Sequence, residues 1–105
     1  MENEDKSYSV IISDKASEML VSHARFLAEV SEEAAQNLVD DFRVTAKSLE
    51  KCPDRNPWLS DPVLPINKYR KLLLYRRYLL IYQVKNNTVF VEYIVDCRQN
   101  FGWLL

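Results

Sequence analysis

The side chains in this sequence that could do chemistry are few and scattered. There is one histidine, His23, and there are two cysteines, Cys52 and Cys97. One histidine and two widely separated cysteines do not make a recognisable zinc ligand set, so neither a metal site nor a cofactor is expected. A single glycine, Gly102, argues against a phosphate-cradling loop. What the sequence concentrates is positive charge. Residues 1–66 carry 13 acidic and 7 basic side chains, a balance of −6, whereas residues 67–105 carry 2 and 7, a balance of +5. Arg70, Lys71, Arg76, Arg77 and Arg98 are therefore the candidates for contact with an anionic surface, either nucleic acid or an acidic partner. The plainer alternative is that these cations keep aggregation-prone strand edges soluble.

Other candidates divide the same way. His23 sits on an apolar helix stripe, which favours a core or partly buried imidazole over a catalytic base. Cys97, next to Arg98, has the neighbour that activates a thiol, but a small buried residue is the weightier expectation. Trp58 fits a loop anchor better than a stacking platform. Trp103 fits tail packing and partner contact equally. Glu92, inside a strand pattern, is either at an exposed edge or paired with Arg70 or Arg98 across the sheet.

The elements that must position these residues follow from periodicity. Residues 8–12 (YSVII) are aromatic and β-branched, which predicts a strand. Ser13 and Asp14 then offer N-cap oxygens, and Ala16, Met19, Leu20, His23, Phe26, Leu27 and Val30 recur at helical spacing. Ser31 caps a second helix, with Glu32 and Glu33 at the positive end of its dipole and an apolar stripe of Ala35, Leu38, Val39, Phe42, Ala46 and Leu49. Pro53 ends it, and the near absence of a linker predicts an antiparallel helical hairpin. All four prolines fall within residues 52–67, which read as a loop. Residues 69–75, 78–84 and 88–95 then read as three strands, with Asn86 and Asn87 able to take left-handed angles at the second turn. Arg76 and Arg77 are poor turn chemistry at the first.

The strands are apolar on both faces. Alternation predicts Tyr78, Leu80, Tyr82 and Val84 opposite Leu79 and Ile81, and Val89, Val91, Tyr93 and Val95 opposite Phe90 and Ile94. A sheet with one wet face alternates more cleanly. One face suits the helical hairpin. The other needs the C-terminal tail, the proline-rich loop or a second protein.

With 105 residues there is room for one domain, expected over 7–105 behind a flexible tail of residues 1–6. No apolar run reaches the roughly 20 residues of a membrane span. The opening MENEDK is acidic and unlike a signal peptide, so a cytoplasmic protein with reduced thiols is expected.

Taken in order, these patterns resemble the RelE/ParE toxin superfamily of bacterial type II toxin–antitoxin, or plasmid stabilisation, systems. The resemblance lies in residues 8–12 with Ala16 and Leu20, in YRKLLL at 69–74, in YLLIYQV at 78–84, and in a last strand running into Asp96-Cys97-Arg98. It implies an α+β fold: an N-terminal strand, an antiparallel helical hairpin, then an antiparallel β-meander. It also implies a cognate antitoxin as partner and growth inhibition as outcome. RelE-like members cut mRNA on the ribosome without a metal, using cations and a proton-moving group. On that pattern Arg70 and Arg98 keep cationic positions as candidate catalytic residues. Leu72, Leu79 and Leu104 replace the others. ParE-like members resemble poisons of DNA gyrase and need no catalytic group. Their pattern fits Arg70, Arg98 and the apolar residues 101–105 (FGWLL) better. The target- or antitoxin-binding set is then Arg70, Lys71, Arg76, Arg77, Arg98, Phe101 and Trp103. A ribosome-dependent endoribonuclease and a degenerate, non-toxic interaction module are the alternatives.

Overall fold

The computed structural model describes residues 7–60, 62 and 64–97. Strand β1 is Ser9–Ile12, helix α1 Asp14–Ala28 and helix α2 Glu32–Ser48. Strands β2 (Arg70–Leu74), β3 (Tyr78–Lys85) and β4 (Thr88–Asp96) follow a long loop that contains one turn of 3-10 helix at Pro53–Arg55. The sheet order is β1-β4-β3-β2. The last three strands form an antiparallel meander, and β1 joins the far side of β4 in parallel.

Both helix starts are made by serine. Ser13 Oγ accepts the Ala16 N–H at 2.9 Å, and Ser31 Oγ accepts that of Ala34 at 3.1 Å, satisfying donors that a helix leaves unpaired at its N-terminus. Helix α1 packs on β4 and α2 reaches β2. Between the hairpin and the sheet lie buried Ala16, Leu27, Leu38 and Leu49 with Leu74, Tyr78, Leu80, Tyr82, Val89, Val91 and Ile94. The α2 stripe is buried or half-buried as its periodicity demands. The α1 stripe is not. Phe26 is 55% exposed and Val30 86%, because Leu27 is the residue that turns inward there and the helix ends at Ala28.

The opposite face is covered in part by the proline-rich loop. Leu59 and Leu64 bury against Tyr69, Ile81 and Val95. The chain passes from one face to the other around the outside of β2. There Leu59 donates to the Tyr69 carbonyl at 2.7 Å, and Lys71 donates to the Pro57 carbonyl at 3.0 Å. Trp58 and Arg70 form an antiparallel bridge. The edge of β2 is thereby covered at its start, Arg70 and Lys71.

Strand β4 departs from simple alternation. Ile81 pairs with Tyr93 but Tyr82 pairs with Val91, so Glu92 is an extra residue on β4. A bulge shifts parity by one, and every later side chain changes face. Ile94 thus joins Val89 and Val91 under the helices, while Tyr93 and Val95 belong to the opposite face. Uniform alternation put Tyr93 and Val95 with Val89 and Val91, and the bulge overturns that. It also brings Glu92 to two partners. Its carboxylate accepts from Gln83 Nε2 at 2.8 Å and its carbonyl accepts from Ser13 Oγ at 3.0 Å, while Arg70 is engaged elsewhere by the Asn56 carbonyl.

Candidate functional site

Adjacent residues of a strand point to opposite faces, and this separates Arg70 from Lys71. Arg70 shares parity with Leu72 and Leu74, which pack toward the helices. Its Nη1 donates to the Asn56 carbonyl at 2.6 Å, its guanidinium lies 3.7 Å from the Trp58 ring centroid, and Asp54 is 4.0 Å from Nε. Only 16% of the side chain is exposed. Beside it the Tyr82 hydroxyl donates to the Pro53 carbonyl at 2.6 Å and accepts from Asn56 Nδ2 at 2.9 Å. Burial pushes the Tyr82 phenol up from its ordinary value, so it stays protonated as a donor. Arg70 is a clamp on the loop. Trp58 anchors the same loop while remaining 40% exposed.

Lys71 lies on the other face, paired in register with Ile81. The other described cations of the set, Arg76 and Arg77, form the turn between β2 and β3, which includes Tyr75. Residues 69–75 read as one strand, but β2 stops at Leu74 because Tyr75 (φ 51°) and Arg76 (φ 59°) are both left-handed. That geometry costs a residue with a Cβ about 1–2 kcal/mol, and bulky residues seldom adopt it. The Arg77 N–H closes it by donating to the Leu74 carbonyl at 3.2 Å, and two contacts from other elements hold it. The Tyr75 N–H donates to Asp41 Oδ2 on α2 at 2.7 Å, and the Cys97 N–H donates to the Arg77 carbonyl at 2.9 Å. Arg77 Nε lies 3.5 Å from Asp96 Oδ2, an ion-pair distance, yet it is buried and makes no hydrogen bond.

Open cavities flank the turn. One of about 350 Å3 is lined by Arg76, Arg77, Asp96 and Cys97, and one of about 550 Å3 by Asp41, Leu73, Tyr75 and Arg76. Cys97 is exposed rather than a small buried residue, because β4 has ended at Asp96. Its thiol is nonetheless no activated nucleophile. Desolvation and then the Asp96 carboxylate raise its pKa, and Lys71 only partly offsets them. His23 is half-buried, its Nε2 2.8 Å from the Ile94 carbonyl and its ring 4.6 Å from that of Tyr78. That is a structural setting. Arg98, Phe101 and Trp103 lie outside the described residues. Asp41 and Asp96, which hold the turn, escaped the sequence reading. Asp41 acts on a residue 34 positions away, and no local pattern records that.

Residues 10–101 match the family model described as the ParE toxin of the type II toxin–antitoxin system parDE. The chain belongs to the ParE toxin family. A solved chain from the chromosomal ParDE toxin–antitoxin system of P. aeruginosa superposes with a TM-score of 0.69 at 18% identity, covering 88% of this chain and 98% of that one. At that identity the likeness shows a shared α+β fold. No curated protein matches the sequence significantly. In this ParE-family chain, then, the arginines at the two ends of the β2–β3 hairpin have different settings. Arg70 is spent on its own loop, while Arg76 and Arg77 stand on a strained turn between two open cavities. Among the described residues no helix is long and apolar enough to cross a membrane.

Proposed function

We propose that this ParE-family toxin arrests bacterial growth from the cytoplasm by binding DNA gyrase, and that a cognate antitoxin restrains it by covering apolar surface and basic residues of the sheet end. The observation that carries the gyrase reading over mRNA cleavage is the setting of Arg70. It is the described residue that keeps a cationic position on the RelE-like pattern, and its guanidinium is engaged by the Asn56 carbonyl and the Trp58 ring. Leu72 packs toward the helices, and Leu79 sits where a second cation is wanted. A site that stabilises a phosphorane needs convergent free cations, and this arrangement opposes one. Binding needs only an accessible, rigid surface, and the turn at Arg76 and Arg77 has that form.

The test pairs a gyrase supercoiling assay with a translation assay scored for mRNA cleavage, both run with the purified full chain. Inhibited supercoiling with intact mRNA is the expected result. Cleaved mRNA with unaffected supercoiling would overturn the target. Unaltered growth in a host making abundant folded protein would leave the chain as a non-toxic interaction module.

A further inference from the structure

The turn end adjoins an apolar shelf. Arg77 lies 5.9 Å from the centroid of the exposed Phe26 ring. Val30, beyond the end of α1, is more exposed still, and Leu73 on β2 is 58% exposed. Basic and apolar surface thus meet at Arg77 and Phe26, and the local charge narrows what fits there. The smaller cavity sets two arginines against the Asp96 carboxylate, and the larger one sets Arg76 against Asp41. A nucleic-acid backbone carries a charge at every phosphate and wants a continuous basic track. Passing this turn, it meets a carboxylate on each side. A single acidic side chain between apolar ones meets two arginines against one carboxylate among the described residues of the smaller cavity, with the Phe26 ring beside Arg77. Arg77 Nε is buried beside the Asp96 carboxylate, so Arg76 is the more exposed cation of the turn.

We infer that the β2–β3 turn and the C-terminal end of α1 form one docking surface for a protein segment in which an acidic side chain is flanked by aliphatic ones. The carboxylate is received by Arg76 and Arg77, and the aliphatic groups rest on Phe26 and Val30. This deepens the proposed function by naming the chemistry of the partner at that site. The strained turn suits the role, since a backbone fixed by Asp41 loses little freedom when the arginines engage.

The experiment titrates the isotopically labelled full chain with a blocked twelve-residue peptide carrying one central glutamate among leucines. Resonances of Arg77 Nε–H and of the Arg76 and Phe26 amides should shift. The same peptide with glutamine should bind about tenfold more weakly, as loss of a charge-assisted hydrogen bond requires. Arg76→Gln, an exposed change that leaves the fold intact, should weaken the glutamate peptide by a similar factor. Asp96→Asn should tighten it, whereas a purely structural Asp96 would give weaker binding. Equal affinity for the two peptides, or no shift at the arginines, overturns the inference. So does a single-stranded oligonucleotide that binds the same residues more tightly. Any of these would leave the toxin reading standing, because supercoiling and growth are measured without the peptide.

Discussion

Arg70 and Arg77 lie at opposite ends of the β2–β3 hairpin, and they show how differently one residue type can be used. Around Arg70 the polar groups answer one another: Asn56, Trp58, Tyr82 and Pro53 form a closed set of short contacts. Around Arg77 the backbone is strained at Tyr75 and Arg76, a donor is left without a hydrogen bond, and two cavities stand open. Satisfied networks hold a fold in one conformation. Strain and unmatched donors collect where a protein meets something else. Cationic character alone is therefore a poor guide to function here.

The contrast is sharpest under substitution. Arg70→Ala removes a charge-assisted hydrogen bond and a stacked guanidinium, and should cost about 2–3 kcal/mol in denaturant unfolding. A loss below about 0.5 kcal/mol would free Arg70 for function and break the comparison. Asp41→Ala should cost about 1–2 kcal/mol by leaving the Tyr75 N–H without its acceptor. Faster amide exchange should then appear at residues 75–77 rather than at the loop; exchange spread over the whole sheet would mean that Asp41 supports the core instead.

Alkaline pH should act on the Arg70 end. The folded Tyr82 pKa lies above that of the unfolded chain, so its contribution is complete below about pH 10 and is lost as pH rises through the folded value. Tyr69 and Tyr93, also raised mainly by burial, add to the same fall. Tyr82→Phe should flatten part of the decline above about pH 10. An unchanged slope would place the titration elsewhere. The smallest effect is expected at the turn. Arg76→Gly relieves a left-handed residue and should stabilise by up to about 1 kcal/mol, whereas a loss of stability would show that the Arg76 side chain holds the turn.

Much of this architecture was legible in the residues. Ser13 and Ser31 cap the helices they precede, and the α2 stripe is the face that packs. Asn86 takes the left-handed angle at its hairpin, with φ 57°. These signals are local, involving side chains three or four positions apart. What the sequence withheld is non-local. The bulge at Glu92 is one extra residue among β-forming neighbours, and only the register with β3 reveals it. The commitment of Arg70 depends on Asn56, 14 positions away. The exposed arginines of the turn and the clamped arginine of β2 look alike in a linear chain, so their different fates needed the loop's path around the β2 edge.

We propose that growth arrest is carried by the turn end and not by Arg70. This is tested most directly by inducing wild type and the Arg76→Gln/Arg77→Gln double variant in one bacterial host, at matched levels of folded protein. Wild type should stop growth and inhibit supercoiling in extracts, while the folded double variant should lose at least about tenfold in potency, as removal of charge-assisted contacts at a binding surface requires. Undiminished arrest by the double variant would contradict it.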